Sequence, residues 1–167
     1  MTENNTSQEK ILARISELLK NSHVVLPKNC TPVLYHHLGR DRFLEVGATF
    51  FKVVMREYAK IIVCMLPMQS YPLHYHRIKS ESFFVLHGDL IVNVDGEVHV
   101  LQKGDSIDVE RRIPHSFSTS GGCVFEEIST AYVNNDSVYI DKNFKRLNYP
   151  SKNTTLNISL INKETMA

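Results

Sequence analysis

Residues 82–109 read SFFVLHGDLIVNVDGEVHVLQKGDSIDV. Ser82–Leu86, Leu90–Val94, Glu97–Leu101 and Ser106–Val109 are short runs rich in Val, Ile and Phe, residue types that suit a half-buried pleated surface. Gly88-Asp89, Asp95-Gly96 and Lys103-Gly104-Asp105 separate them. Asp95-Gly96 joins Val94 to Glu97 as a two-residue hairpin of type I′, which needs positive φ at both central residues. The pattern continues outward. Phe50–Met55 and Lys60–Leu66 precede this stretch and Cys123–Ile128 follows it, with Met68-Gln69-Ser70 and Gly121-Gly122 as further turns. Many short strands broken by close turn signals predict an antiparallel sandwich or a closed barrel.

The ends of the chain read differently. Thr6 followed by Glu9 fits a capping box, and Ile11, Leu12, Ile15, Leu18 and Leu19 then fall on one helical face until about Asn21. This helix is expected to pack over the core or across a subunit contact. A connecting loop with Pro27, Cys30 and Pro32 follows. The tail after Tyr149 is polar, with room for one short strand over Leu156–Ile161. The expected organisation is a helical segment at 1–24, a barrel at 25–149 and a tail at 150–167.

Composition narrows the function. The 167 residues suit one domain with its own core. Lys and Arg number 19 against 18 Asp and Glu, a net charge of +1, so no strong field exists to hold nucleic acid or an anionic membrane. No apolar run approaches the roughly 20 residues that span a bilayer. The opening MTENNTSQEK lacks the pattern of a secretory signal. Cys30, Cys64 and Cys123 are odd in number and widely spread, which gives no disulfide framework and points to the reducing cytoplasm.

The densest chemical signal is PLHYHRIKSESFFVLHG, Pro72–Gly88. His74 and His76 are two apart, so on a strand both face the same way. Glu81 follows at the entry to the next strand, and a short loop lets its carboxylate reach the same point. GDSIDVERRIPHSF then brings His115 eleven residues after Gly104, across a hairpin. Three imidazoles and a carboxylate suit one divalent transition metal: Mn, Zn, Fe, Ni or Co. His23, His36, His37, His87 and His99 are read as ordinary satisfied histidines, and Glu97 and Glu110 as solvated strand residues.

These residues resemble the two motifs of the cupin superfamily. His74, His76, Glu81 and Gly88 stand at the spacing of the first motif, with Met68 where its opening Gly is usual. Gly104 and His115 match the second, with Glu110, Arg112 and Thr119 in place of the usual Pro, Gly and Asn. Arg112 occupies a turn position where Gly often supplies positive φ. The resemblance implies an all-β fold, a cupin-type antiparallel β-barrel (jelly roll) with an N-terminal helix. It also implies a homodimer, for which the amphipathic helix and the apolar run Lys60–Leu66 offer partner-facing candidates. Lys79 between His76 and Glu81, and the segment EEISTAYVNNDSVYID at Glu126–Asp141, are similar to the cupin sugar isomerases of the D-lyxose isomerase kind. The readings HSFST and FEEIST also resemble small cupins associated with sialic-acid (nonulosonate) synthases.

Aldose–ketose isomerisation needs two neighbouring oxygens held and polarised, a base beside the carbon that loses its proton, and a proton donor. Strand alternation lets only one of Glu126 and Glu127 face the interior; the resemblance selects Glu127 as the base. Lys79 is the candidate proton donor or charge stabiliser. Asn135, Asp136, Ser137 and Asp141 read as a turn cluster in preference to a cap on the barrel rim. Phe83, Val85 and Phe117 are expected on an apolar pocket wall, and Arg77, Arg111 and Arg112 are the cations available to an anionic substrate. The leading reading is a metal-dependent sugar isomerase or epimerase of surface-glycan metabolism, acting on a small-molecule carbohydrate. The alternatives are a non-catalytic metal- or sugar-binding cupin accessory to nonulosonate biosynthesis and a mononuclear metal dioxygenase.

Overall fold

A computed structural model of the chain describes residues 3–140, 144 and 153–155. These hold one helix, a 3-10 turn at Arg40–Arg42 and eleven strands. The helix α1 spans Glu3–Ser22. The strands are β1 (Thr31–Tyr35), β2 (Ala48–Met55), β3 (Ala59–Met65), β4 (Ser70–His76), β5 (Glu81–Val94), β6 (Glu97–Gln102), β7 (Ser106–Val109), β8 (His115–Ser118), β9 (Cys123–Ser129), β10 (Ser137–Tyr139) and β11 (Asn153–Thr155). They pair antiparallel in the order β10-β4-β8-β5-β9-β3-β2-β1-β11, with β6 and β7 also on β5. This is the all-β jelly roll with an N-terminal helix that the sequence predicts. No described helix is long and apolar enough to cross a membrane.

Period-2 alternation sorts the side chains into two apolar layers. The inward residues of β5, β8 and β9, including Phe83, Val85, Phe117 and Phe125, fill the barrel together with Leu90 and Val92. Outward residues Phe51, Ile62, Cys64 and Val124 meet Ile11, Leu12, Ile15 and Leu19 of α1. The helix thus spends its apolar face on its own sheet. β3 lies between β2 and β9. The helix begins at Glu3, which places Thr6 inside it instead of at the cap.

Two strand expectations change. Ser82–Leu86 and Leu90–Val94 form one continuous 14-residue strand, β5. Gly88-Asp89 is not a turn: Gly88 takes φ 78°, and the register against β9 shifts between Val85 and His87. This bend lets one strand pair with β9 and β7 at its start and with β6 and β8 at its end. A Cβ at Gly88 would collide with the Gly122 carbonyl, so only glycine allows the two backbones to pass. The segment read as a Pro-containing loop includes β1, where Pro32 pairs opposite Phe51. The Asp95-Gly96 hairpin has the expected positive φ at both residues, 51° and 91°. Met68 and Arg112, which stand where the motifs favour Gly, adopt positive φ themselves, both 68°. The turns are kept at some backbone strain. The Leu156–Ile161 strand lies outside the described residues.

Candidate metal centre and active site

The site is built where β4, β5, β8 and β9 converge. His74 and His76 project from one face of β4, and His74 pairs directly with His115 at the start of β8. Glu81 opens β5, next to Ser129 of β9. All four side chains are buried. Ligand atoms of His74, His76 and His115 lie within 4.8 Å of one another. Glu81 reaches the same point: its Oε1 is 3.2 Å from His76 Nε2 and its Oε2 is 3.3 Å from His115 Nε2.

Hydrogen bonding fixes the tautomers. His74 Nδ1 donates to the Pro72 carbonyl at 2.9 Å, and His115 Nδ1 donates to the Ile113 carbonyl at 3.0 Å. A carbonyl can only accept, so in each neutral ring the proton sits on Nδ1 and Nε2 presents a bare lone pair. His76 turns Nδ1 toward Ser137 Oγ at 3.4 Å and Asp136 Oδ2 at 3.7 Å. His115 Nε2 is buried and has no hydrogen-bond partner among the described residues; its approach to Glu81 is close, at 3.3 Å. Burial, then the neighbouring His115 and His76, holds the His74 pKa well below the usual imidazole range. Burial also lowers that of His76, against the pull of Glu81. The His76 and His115 Nε2 atoms and the Glu81 carboxylate converge within 3.2–3.3 Å. The donor set therefore fits a divalent transition metal, with the outer hydrogen bonds orienting each imidazole as metal-bound histidines require.

Beside these groups sits a buried carboxylate–ammonium cluster. Lys79 Nζ contacts Glu81 Oε1 and bonds Glu127 Oε1 at 2.8 Å. Burial works against the Glu81 anion, yet the Lys79 charge above all, with His115 and His76 alongside, holds its pKa well below the carboxylate range. Burial and the Glu81 charge push Glu127 up to about 7, with Lys79 opposing. Alternation along β9 turns Glu127 inward, while Glu126 pairs outward with Lys60 at 2.7 Å.

A cavity of about 550 Å³ opens over this cluster. Tyr35, Phe50, Tyr71, Phe117 and Tyr139 supply aromatic wall; Lys52, Lys79, Glu81 and Glu127 supply charge. Phe117 lines it as expected, but Phe83 and Val85 lie in the packed layer beneath. Arg77, Arg111 and Arg112 are exposed and outside the lining. His37, read from sequence as an ordinary satisfied histidine, is buried at the wall, its ring 4.6 Å from Tyr71 and 4.9 Å from Tyr139.

Asp136 is the residue most underread in the sequence. Asn134 and Asn135 make the turn, whereas Asp136 is buried. Its Oδ1 accepts the backbone N–H groups of Arg77 and Ile78 at 3.0 and 3.1 Å, and Oδ2 accepts that of Lys79 at 3.2 Å. It clamps the loop that carries Lys79 to the rim beside His76. An Asn-Asn-Asp run looks like any turn; only the fold shows whose amides it meets.

The Cupin domain family matches residues 61–127, from β3 into β9, a span that holds all four candidate ligands. No curated protein sequence matches the chain. Among solved structures, it resembles the L-ribose isomerase of Geodermatophilus obscurus at 11% identity, covering 84% of this chain and 93% of that one with a TM-score of 0.67. The L-ribose isomerase of Cellulomonas parahominis is similar at 12% identity, the same coverage and a TM-score of 0.67. The polyketide cyclase RemF of Streptomyces resistomycificus is similar at 20% identity, covering 56% and 71% with a TM-score of 0.50. At these identities the likeness is one of fold: the molecule is an all-β jelly roll whose residues 61–127 match the Cupin domain family and which carries a buried three-histidine group.

Proposed function

We propose that this chain is a metal-dependent sugar isomerase, interconverting an aldose and a ketose of surface-glycan metabolism. One observation carries the reading: a metal-type donor set and the Lys79–Glu127 pair, at 2.8 Å, face the same cavity. A protein that only stored a metal would need no buried proton-transfer pair beside it. The shared fold with two L-ribose isomerases is in keeping with this reading.

His74, His76, His115 and Glu81 would hold the metal. When bound, it would polarise the carbonyl and adjacent hydroxyl oxygens of an open-chain sugar. The Glu127 carboxylate takes the proton from the carbon bearing that hydroxyl and returns it to the neighbouring carbon. The hydroxyl proton moves to the former carbonyl oxygen, so atoms and charge balance. Lys79 holds Glu127 in line and places positive charge beside the developing oxyanion. The Asp136 clamp keeps Lys79 over the site. The Tyr71 hydroxyl, 3.3 Å from that of Tyr139, lies on the same wall. We also propose that the enzyme works in the cytoplasm as a homodimer.

The test is an NMR time course with a panel of aldoses and sugar phosphates, with and without added manganese. Metal-dependent appearance of the ketose is expected. Binding of several sugars by metal-loaded protein, with none converted, would replace this reading with that of a non-catalytic cupin accessory to nonulosonate biosynthesis.

A further inference from the structure

The inner row of the sheet carries a cation that the chemistry above does not use. Lys52 of β2 pairs opposite Ile61 of β3, and Ile61 opposite Glu127 of β9. Directly opposed residues share a face, so Lys52 looks into the same cavity as Glu127 and lines it. Two strand spacings separate their backbones, about 10 Å. The register breaks just after Lys52, between it and Val54; a bulge of this kind re-aims a side chain.

The charges around the cavity are otherwise answered. Lys79 meets Glu81 and Glu127. The Asp136 carboxylate is taken by three backbone amides. Lys60, on the outer face, has Glu126. Lys52 meets no carboxylate among the described residues. Its Nζ lies 3.4 Å from the Tyr132 hydroxyl and 5.5 Å from the centre of that ring. Tyr132 belongs to the segment joining β9 to β10, which also lines the cavity. A divalent ion on the histidines would leave the cavity net positive, with Lys52 at its far side.

We infer that Lys52 binds an anionic group, a carboxylate or a phosphate, at the end of the substrate remote from the reacting carbons. This inference rests on the sugar-isomerase reading and deepens it: the substrate class is a five- or six-carbon sugar acid or sugar phosphate. A chain of that length reaches from the Lys79–Glu127 pair to Lys52. Tyr132 orients the ammonium and closes that end of the cavity. The exposed Arg77, Arg111 and Arg112 take no part.

The test is calorimetric titration of metal-loaded, full-length protein with D-glucose, D-glucuronate and D-glucose 6-phosphate, with D-ribose and D-ribose 5-phosphate, and with the non-sugar dicarboxylate glutarate. One charge-assisted hydrogen bond predicts about tenfold to hundredfold tighter binding of the anionic sugars. The carboxylate and phosphate arms tell which anion is preferred. Lys52→Met is expected to remove the preference while keeping metal content and melting temperature; Lys52→Arg should retain it. Equal binding of neutral and anionic sugars, or a preference that survives Lys52→Met, overturns the inference. Anions bound through Lys52 without any sugar conversion would keep the anion site and sink the isomerase reading. Neutral sugars converted with no Lys52 dependence would do the reverse. If no probe binds, both are wrong.

Discussion

Asp136→Ala removes the clamp between the rim and the loop that carries Lys79. The carboxylate accepts three backbone N–H groups, at 3.0, 3.1 and 3.2 Å, from a buried position. Hydrogen bonds to a charged group contribute about 1.5–3 kcal/mol each when both partners are shielded. Arg77 and Ile78 are exposed, so water replaces part of what is lost. The Lys79 amide is better shielded and is expected to lose most of its bond's contribution. The sum is about 2–4 kcal/mol. With a urea slope of about 2 kcal/mol per M, the unfolding midpoint should fall by about 1–2 M. Asp136→Asn keeps one acceptor oxygen and should fall about half as far. The chain has no Trp, so far-UV circular dichroism is the probe. Asp136 Oδ2 also lies 3.7 Å from His76 Nδ1, and loss of such an outer partner weakens a metal site about 10–100-fold. An Asp136→Ala midpoint within about 0.3 M of wild type, below one-third of the smallest expected shift, would show that the clamp carries no strain-bearing role.

Other expectations follow from the same geometry. His76→Ala or His115→Ala removes one of four candidate ligands, and elemental analysis should show metal content lowered at least tenfold; undiminished metal in either variant removes that residue from the set. Gly88→Ala places a Cβ against the Gly122 backbone at a residue with φ 78°. It should yield little folded protein, and a wild-type unfolding midpoint would mean that the β5 bend is not fixed there. Burial lowers the pKa of His36, and burial lowers that of His74 still further, with His115 and His76 adding to it. These rings stay neutral in the fold but take protons in the unfolded chain as pH falls through about 6.5. Metal-free protein should therefore hold its stability above that pH and lose it below, at up to about 1.4 kcal/mol per pH unit for each such ring. A urea midpoint unchanged between pH 7.5 and 5.5 contradicts this.

Much of the site was legible because strands impose a period of two. His74 and His76 had to share a face once β4 was a strand, and the hairpin signals brought Glu81 and His115 within reach. Glu127 could not be told from Glu126 by spacing; the resemblance to sugar isomerases separated them, and the structure turns Glu127 inward beside Lys79. Gly88 misled because positive φ is the mark of both a turn and a bend within a strand, and only the approach of Gly122 distinguishes them. Pro32 obscured β1 because Pro is disfavoured in strand interiors. Asp136, His37 and Lys52 draw their roles from partners far away in sequence. Nothing local marks them, and each needed the folded register to become visible.

The central claim is that Glu127 moves a carbon-bound proton of a sugar beside a metal held by His74, His76, His115 and Glu81. Incubation of metal-loaded protein with candidate sugars in deuterated water tests it most directly. Deuterium should enter C1 or C2 of the true substrate. Glu127→Gln keeps the shape and the metal, so it should stop that exchange, with a rate loss of about 10²–10⁴. Undiminished exchange in Glu127→Gln, or no exchange from any sugar that the stoichiometrically loaded protein binds, would contradict the claim.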